Sequence, residues 1–412
     1  MTEKTHGTRM RPIKETIPIS EALRLVDEAS RPIDRTSKIP LEEANGRTLA
    51  TDIVANRDVP PFNRAAMDGY AVVAETTADA SRYKPTRLQC IESVHTGRLP
   101  TLRVSPGECT EIATGAPIPD GANAVVMVEE TNRQGLEVEI FSAVTPWQHV
   151  GQQGGDIVTD QTVLRTGELL TPSRVGSIAA LGMAEVDVYD QPRVAVLCTG
   201  DEIVSPGQPL EPGQIYDINR FTLSAVIAEH GGVALTFPIA GDSLEALSIA
   251  VDHVIANRTD LLVFSGGSSV GERDLTLDVL RLKGTVDFHG ISVKPGKPTA
   301  FGHIGTIPVL GMPGYPTSCL SNAYLLLVPL LRRMAHLPTY RPQTISVPAA
   351  HRFTSTNKRH QLYSVRVVSG AAVGAFTSSG HITSMSKADG YIEIPEGQDI
   401  VEQGENVDVT LF

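Results

Sequence analysis

The chain has 412 residues, too many for one ordinary hydrophobic core, and two to four domains are expected roughly from such a length. Hydrophobic residues make up 41% and charged residues 20%, an ordinary globular balance that argues against a disordered or fibrous chain. With 35 basic against 47 acidic residues the net charge is −12, which argues against bulk nucleic-acid binding and requires any anionic ligand to be met by local positive groups.

In chain order, "SEALRLVDEAS" reads as an amphipathic helix with Ser20 as its N-cap. From about Pro60 to Trp147, short strand-like runs such as "AVVMVEE" and "LEVEIF" alternate with the turns "SPGE", "GAPIPDGA" and "NRQG", which predicts a β-rich module. From about Pro192 the texture changes. "RVAVLCTG" is a buried-strand run and "DINRFTLSAVIAEHGG" a helix ending at glycine. "VALTFPIA" is a strand, and "DSLEALSIAVDHVIANR" a helix with Leu244, Leu247, Val251 and Val254 on one face. "LLVFSGG", a helix from Asp274, a strand near "TIPVLG" and a helix after Pro316 complete a β/α alternation. That pattern predicts a doubly wound, mostly parallel sheet with ligands beyond the carboxyl ends of its strands. The last stretch, about 336 to 412, returns to short strands, "YSVRVVSG", "GYIEIPEG" and "ENVDVTLF", and predicts a small β barrel or sandwich. The fold class is therefore α/β plus β, in several domains.

The four cysteines, Cys90, Cys109, Cys198 and Cys319, form no C-x-x-C pair, so a reduced compartment is expected rather than a disulfide scaffold or cysteine zinc site. The N-terminus has no apolar signal core, and no run of about 18 apolar residues follows, so a soluble cytoplasmic protein is expected.

The loops carry the chemistry. In "VFSGGSSVGERD", Gly266 and Gly267 let the backbone turn so that amides, hydroxyls and a helix N-terminus face an anion. The same loop fits G-x-S-x-G, which would make Ser269 a hydrolase nucleophile, and Asp287, His289 and His303 follow in the required order. Both readings predict strand, turn and helix, as does a turn without chemistry, and the loop alone does not choose. "CTGDEIV" sets Asp201 and Glu202 at a strand end, as ligands or as turn caps, and in "GMPGYPTS" Pro313 and Pro316 stiffen a glycine turn. "VKPGKPTAFG" holds Lys294 and Lys297 among Pro295, Gly296 and Pro298, a stiff turn suited to a phosphate or oxoanion or simply solvated. Asp242 and Asp274 open helices, as caps or as hard oxygen donors suggesting Mg²⁺. Asp68 in "PPFNRAAMDGYAV" and Thr114 in "TGAPIPDGANAVVMVE" stand before glycines, as turn formers or as site residues.

Those strings, together with "GGDI" at 154 to 157, "PRVAVLCTGDEIV" and "GQIYDINR", stand in one order along nearly the whole chain. In that order they resemble the molybdopterin molybdenumtransferase family, the molybdenum-insertion enzymes related to the E domain of gephyrin. The resemblance implies a reaction in which adenylylated molybdopterin and molybdate give molybdenum cofactor and AMP with Mg²⁺. It implies that Ser265, Gly266, Gly267 and Ser269 cradle the phosphate-bearing substrate, that Asp242 and Asp274 hold Mg²⁺ while Glu202 orients water or metal, and that Lys294 and Lys297 meet molybdate or pyrophosphate oxygens. Asp217, Pro298, Pro313 and Pro316 would line the same cleft, and Asp68 and Thr114 would reach it from the second copy of a homodimer. Arg359, Ser379 and Ser384 are the candidate contacts from the C-terminal domain.

The implied domains are a helical connecting domain of 16–57 and 149–188, a β-rich domain of 58–148, an α/β molybdopterin-binding domain of 189–335 and a small C-terminal β barrel of 336–412. A molybdopterin adenylyltransferase is the expected upstream partner, and a scaffold of the gephyrin type is the alternative function. Asn63, Ser268, Tyr315 and Ser364 stand where the family more often has aspartate, valine, asparagine and arginine. Asn63, Ser268 and Tyr315 leave the candidate charged site residues themselves intact.

Overall fold

The computed structural model describes residues 13, 15–266, 274–355 and 359–412. The chain divides into two compact units, one of residues 38–45 and 49–188, the other of residues up to 37, 46–48 and 189–412.

The first unit is built on a six-stranded sheet in the order Ala124–Met127, Gly69–Val72, Glu108–Ile112, Thr86–Val94, Glu137–Ile140 and Thr131–Gln134. Its pairs are antiparallel except for the parallel pair Thr86–Val94 with Glu108–Ile112. Gly69–Val72 lies inside this sheet and is buried throughout. Tyr70 and Val72 enter one apolar cluster and Ala71 the other, as the two-residue period of a strand requires. A separate cluster gathers Leu49, Ile53, Ile157, Leu164, Val186 and Val188 around Ile178 of the helix Pro172–Ala180.

In the second unit we number β1 (Arg193–Cys198), α1 (Asn219–Glu229), β2 (Val233–Thr236), α2 (Leu244–Ala256), β3 (Leu261–Ser265), α3 (Leu275–Lys283), β4 (Thr285–His289), β5 (Ala300–Ile304), β6 (Ile307–Met312) and α4 (Pro316–Asn322). The sheet runs β2-β1-β3-β6-β5-β4. Its first four strands are parallel, and β5 and β4 join antiparallel at the edge. Val194, Val196, Leu261 and Val263 pack on one face with Leu223 and Ile227 of α1. Ala195, Leu197, Leu262 and Phe264 pack on the other with Leu247 and Val251 of α2 and Val279 of α3. Burial on both faces is why these strands read as unbroken apolar runs.

After α4 the helix opens into a π segment, Ala323–Leu327, before Val328–Met334. Pro329 has no N–H to return to the preceding turn, and a widened turn accommodates it.

Two expectations about helix starts are corrected. The N-terminal helix is Ile19–Ala29, and Pro18 rather than Ser20 precedes it, its carbonyl accepting from Glu21 and Ala22 at 3.1 Å. Ala22 and Val26 of this helix enter the same cluster as Val194 and Leu223. Ser243, not Asp242, caps α2 by accepting from the amide of Ala246 at 3.1 Å.

The C-terminal residues form a sheet in the order Val293–Lys294, His360–Val368, Gly390–Ile394, Asn406–Leu411 and Thr344–Pro348, with Ala371–Gly374 also paired to His360–Val368. Its core includes Phe353, Val365, Ile392, Ile394 and Val409.

Candidate active site

Four loops leave the carboxyl ends of β1, β2, β3 and β6, which places Thr199–Glu202, Asp242, Gly266 and Pro313–Tyr315 on one edge of the sheet. The amide of Thr199 donates to the carbonyl of Ser265 at 3.1 Å, and its hydroxyl donates to Asp242 Oδ1 at 3.0 Å. Asp201 Oδ1 accepts from the amide of Asp242 at 3.1 Å. Gly266 has φ +96°, and a Cβ there would stand 2.3 Å from the carbonyl oxygen of Thr199, so only glycine fits this junction. Glu202 and Asp242 are exposed on this edge.

Asp274 caps α3, its Oδ1 accepting from the amide of Leu277 at 3.1 Å, and its Oδ2 lies 2.8 Å from Nε2 of His289 at the end of β4. Both roles weighed for it in the sequence remain compatible, since each carboxylate oxygen can accept more than one bond. His303 Nδ1 pairs with Asp287 Oδ2 at 2.9 Å, so both histidines that suited a hydrolase order are engaged with aspartates, Asp274 at the start of α3 and Asp287 on β4. Gly267, Ser268 and Ser269 lie outside the described residues.

Two side chains expected to face a ligand are committed elsewhere. Ser265 is 3% exposed, and its Oγ accepts from Asn219 Nδ2 at 2.8 Å. Asp217 is 4% exposed, accepting from the amide of Arg220 at 3.0 Å and the thiol of Cys198 at 3.5 Å, with Arg220 Nε 3.3 Å from its Oδ2. Both therefore support the loops from beneath. Burial, with the Asp217 charge beside it, pushes the Cys198 thiol well above its ordinary range, which makes it an inert neutral partner.

Asn219 was missed in the sequence, although it stands in "YDIN" beside Asp217. Its Nδ2 also donates to the carbonyl of Gly314 at 2.8 Å. The signal was a polar residue opening a helix, which reads equally as a cap.

The lysine turn is joined to the C-terminal sheet. Val293 pairs with His360 and Lys294 with Gln361 in a parallel ladder, which brings Arg359 next to the turn along the chain. A Cβ on Gly296 would stand 2.4 Å from Asn322, whose Nδ2 donates to the Gly296 carbonyl at 2.9 Å. Lys297 Nζ donates to the carbonyl of Ile13 at 2.8 Å. Pro298 is half-buried and Pro313 buried, while Pro316 begins α4.

The serine turn docks on α4. The carbonyls of Ser379 and His381 accept from the amide and hydroxyl of Thr317 at 3.1 and 2.9 Å. Ser384 is 1% exposed and its hydroxyl lies 3.0 Å from that of Thr377, so it shapes the turn instead of presenting a free donor.

In the other unit, Asp68 precedes Gly69–Val72 and Thr114 follows Glu108–Ile112. The antiparallel register Gly69 to Ile112 therefore brings together residues far apart in sequence. Asp68 Oδ1 accepts from the amide and hydroxyl of Thr114 at 2.7 and 2.9 Å, which holds its carboxyl below the usual range. Asp68, Tyr70, His95 and Glu111 line a cavity of about 170 Å³. His95 and Glu111 carried no motif and were not legible beforehand. Among the described residues no three His, Cys, Asp or Glu side chains are gathered as a metal site.

Residues 17–182 match the family model for the MoeA N-terminal region (domain I and II), 195–333 that for a probable molybdopterin binding domain, and 346–412 that for the MoeA C-terminal region (domain IV). Molybdopterin molybdenumtransferase 2 of Mycobacterium tuberculosis is 34% identical over 396 residues, covering 93% of this chain and 96% of that protein. The chain belongs to the molybdopterin molybdenumtransferase family. The Haemophilus influenzae molybdopterin molybdenumtransferase is 36% identical over 302 residues, 73% of each chain. A crystal structure of the molybdopterin biosynthesis moeA protein from Pyrococcus horikoshii OT3 has a TM-score of 0.82 at 31% identity, covering 97% of this chain and 100% of that one. The family's multidomain fold, mixed α/β with many strands, is thus the fold of this chain. Asp68 and Thr114 fall in the first matched region, the four strand-end loops and the lysine turn in the second, and Arg359, Ser379 and Ser384 in the third.

Proposed function

We propose that this transferase inserts molybdate into adenylylated molybdopterin, releasing AMP and giving molybdenum cofactor. The observation that carries the reading is the convergence of four strand-end loops on one sheet edge, in the region matching a molybdopterin-binding domain. The metal enters at the pterin dithiolene as water cleaves the phosphoanhydride to AMP. Gly266 and Gly314 let backbone approach the phosphates closely. Lys294, Lys297 and Arg359 offer positive charge to molybdate, which a chain of net charge −12 must supply locally.

Mg²⁺ is part of the proposal. It takes one or two carboxylates plus substrate phosphates and keeps several waters, so scattered carboxylates suit it better than a closed cage. Asp242, Asp274 and Glu202, which follow β2, β3 and β1, are the residues that would hold it. Bound there, the ion would neutralise phosphate charge.

A cytoplasmic homodimer supplied by a molybdopterin adenylyltransferase, with domain limits at 58–148, 189–335 and 336–412, belongs to the same proposal. Among the described residues no helix is long and apolar enough to cross a membrane.

The test is turnover with adenylylated molybdopterin, Mg²⁺ and molybdate, following AMP and cofactor, beside Asp274→Asn. That variant keeps a capping oxygen and loses the charge. Molybdate-dependent AMP release by the parent protein, reduced at least tenfold in the variant, supports the reading. Absence of turnover with intact substrate and folded protein overturns it.

A further inference from the structure

Asn219, the first residue of α1, is 7% exposed and sits where the loops after β3 and β6 meet. Its Nδ2 donates both to Ser265 Oγ and to the Gly314 carbonyl, each at 2.8 Å. A carbonyl can only accept, so the Gly314 contact fixes which end of the amide faces the loops. The consequence is a buried Oδ1 with no hydrogen-bond partner. Buried polar atoms are almost always paired, and an apolar residue here would leave no such orphan. What the amide adds is the bridge between the two loops. They are close neighbours, since a Cβ on Gly314 would stand 3.6 Å from the Cα of Gly266. On its far side the second loop is held by Thr317, bonded to the carbonyls of Ser379 and His381.

We propose that Asn219 is a positioning residue, a staple that fixes the spacing between the Ser265–Gly266 and Gly314–Pro316 loops without itself touching substrate. This rests on the reading of those loops as the substrate cradle. A glycine-rich cradle has few side chains of its own to hold its shape, so its spacing must be set from below. A displacement of about 1 Å in such a cradle can cost on the order of a hundredfold in rate.

Two variants test it, Asn219→Ala and the nearly isosteric Asn219→Asp, which sets a carboxylate oxygen against the Gly314 carbonyl. Hydrogen exchange in the ligand-free protein should rise about tenfold or more in peptides covering 262–266 and 311–317. Peptides covering 69–72 in the other unit should be unchanged. In the molybdate-dependent AMP assay, kcat/KM should fall about tenfold or more at a temperature where circular dichroism shows each variant folded. Folded variants with parental loop exchange would overturn the staple, as would loosened loops with parental kcat/KM or the unfolding of both variants. If the parent protein itself shows no turnover, the transferase reading fails. The exchange measurement still decides whether Asn219 holds the two loops.

Discussion

The Asp68–Thr114 clamp occurs twice more in the same unit. Asp58 Oδ1 accepts from the amide and hydroxyl of Thr159 at 2.9 and 2.8 Å, and Asp52 Oδ1 from those of Thr166 at 2.7 and 2.9 Å. All three carboxyls are held below their ordinary range, first by the threonine amide and then by its hydroxyl. An aspartate–threonine clamp is therefore a structural device, and what singles out Asp68 is its cavity with His95 and Glu111. Asp68→Asn should lower kcat/KM at least tenfold, whereas Asp58→Asn should leave it unchanged and lower only the midpoint of thermal unfolding. Thr114→Val keeps the amide and removes the hydroxyl, so the Asp68 carboxyl should rise towards the ordinary range in an NMR titration. Because the folded value lies below the unfolded one, any stability Asp68 contributes is present above its unfolded pKa and lost as pH falls through the folded value. Each partner was visible in the sequence as a turn former, but their meeting depends on sheet register, which residues 46 positions apart do not announce.

At the scale of elements, the α/β alternation was legible because strands buried on both faces and helices with one apolar stripe leave opposite periodicities. The caps were less so. Pro18, Ser20, Asp242 and Ser243 are all plausible first residues, and only backbone direction separates them. Ser243→Ala should cost about 1 kcal/mol in urea denaturation, the usual effect of losing a side-chain cap. Gly266→Ala should do more: besides the positive φ, the added methyl meets the Thr199 backbone, so the β1 and β3 loops must part. Loss of most turnover in a protein that remains folded by circular dichroism is the expected result. The two-residue strand Val293–Lys294 was missed for a different reason, since its pairing partner lies more than sixty residues on and two residues show no period.

Across the molecule, several apolar clusters share the work of folding, as the chain length implied. In the cluster of α1, His230 is 5% exposed, with neither ring nitrogen hydrogen-bonded, and its ring stands nearly perpendicular to those of Tyr324 and Tyr340. Burial lowers its pKa, with Arg332 acting in the same direction and Glu229 opposing. The folded value then lies below the unfolded value of about 6.5. The stabilising contribution is complete above that unfolded value and declines as pH falls towards the folded one. His230→Phe should flatten this part of the curve of unfolding midpoint against pH, and an unchanged difference between the two proteins across the window would refute it.

The parallel ladder between Val293–Lys294 and His360–Gln361 has a bearing on how such chains can be recombined. The lysine turn belongs by covalent continuity to the α/β sheet but completes the edge of the C-terminal one. A seam drawn between the matched regions 195–333 and 346–412 would thus separate two halves of one hydrogen-bonded element. Chimeras that exchange the C-terminal sheet between relatives should fold and work only when residues 292–297 travel with it.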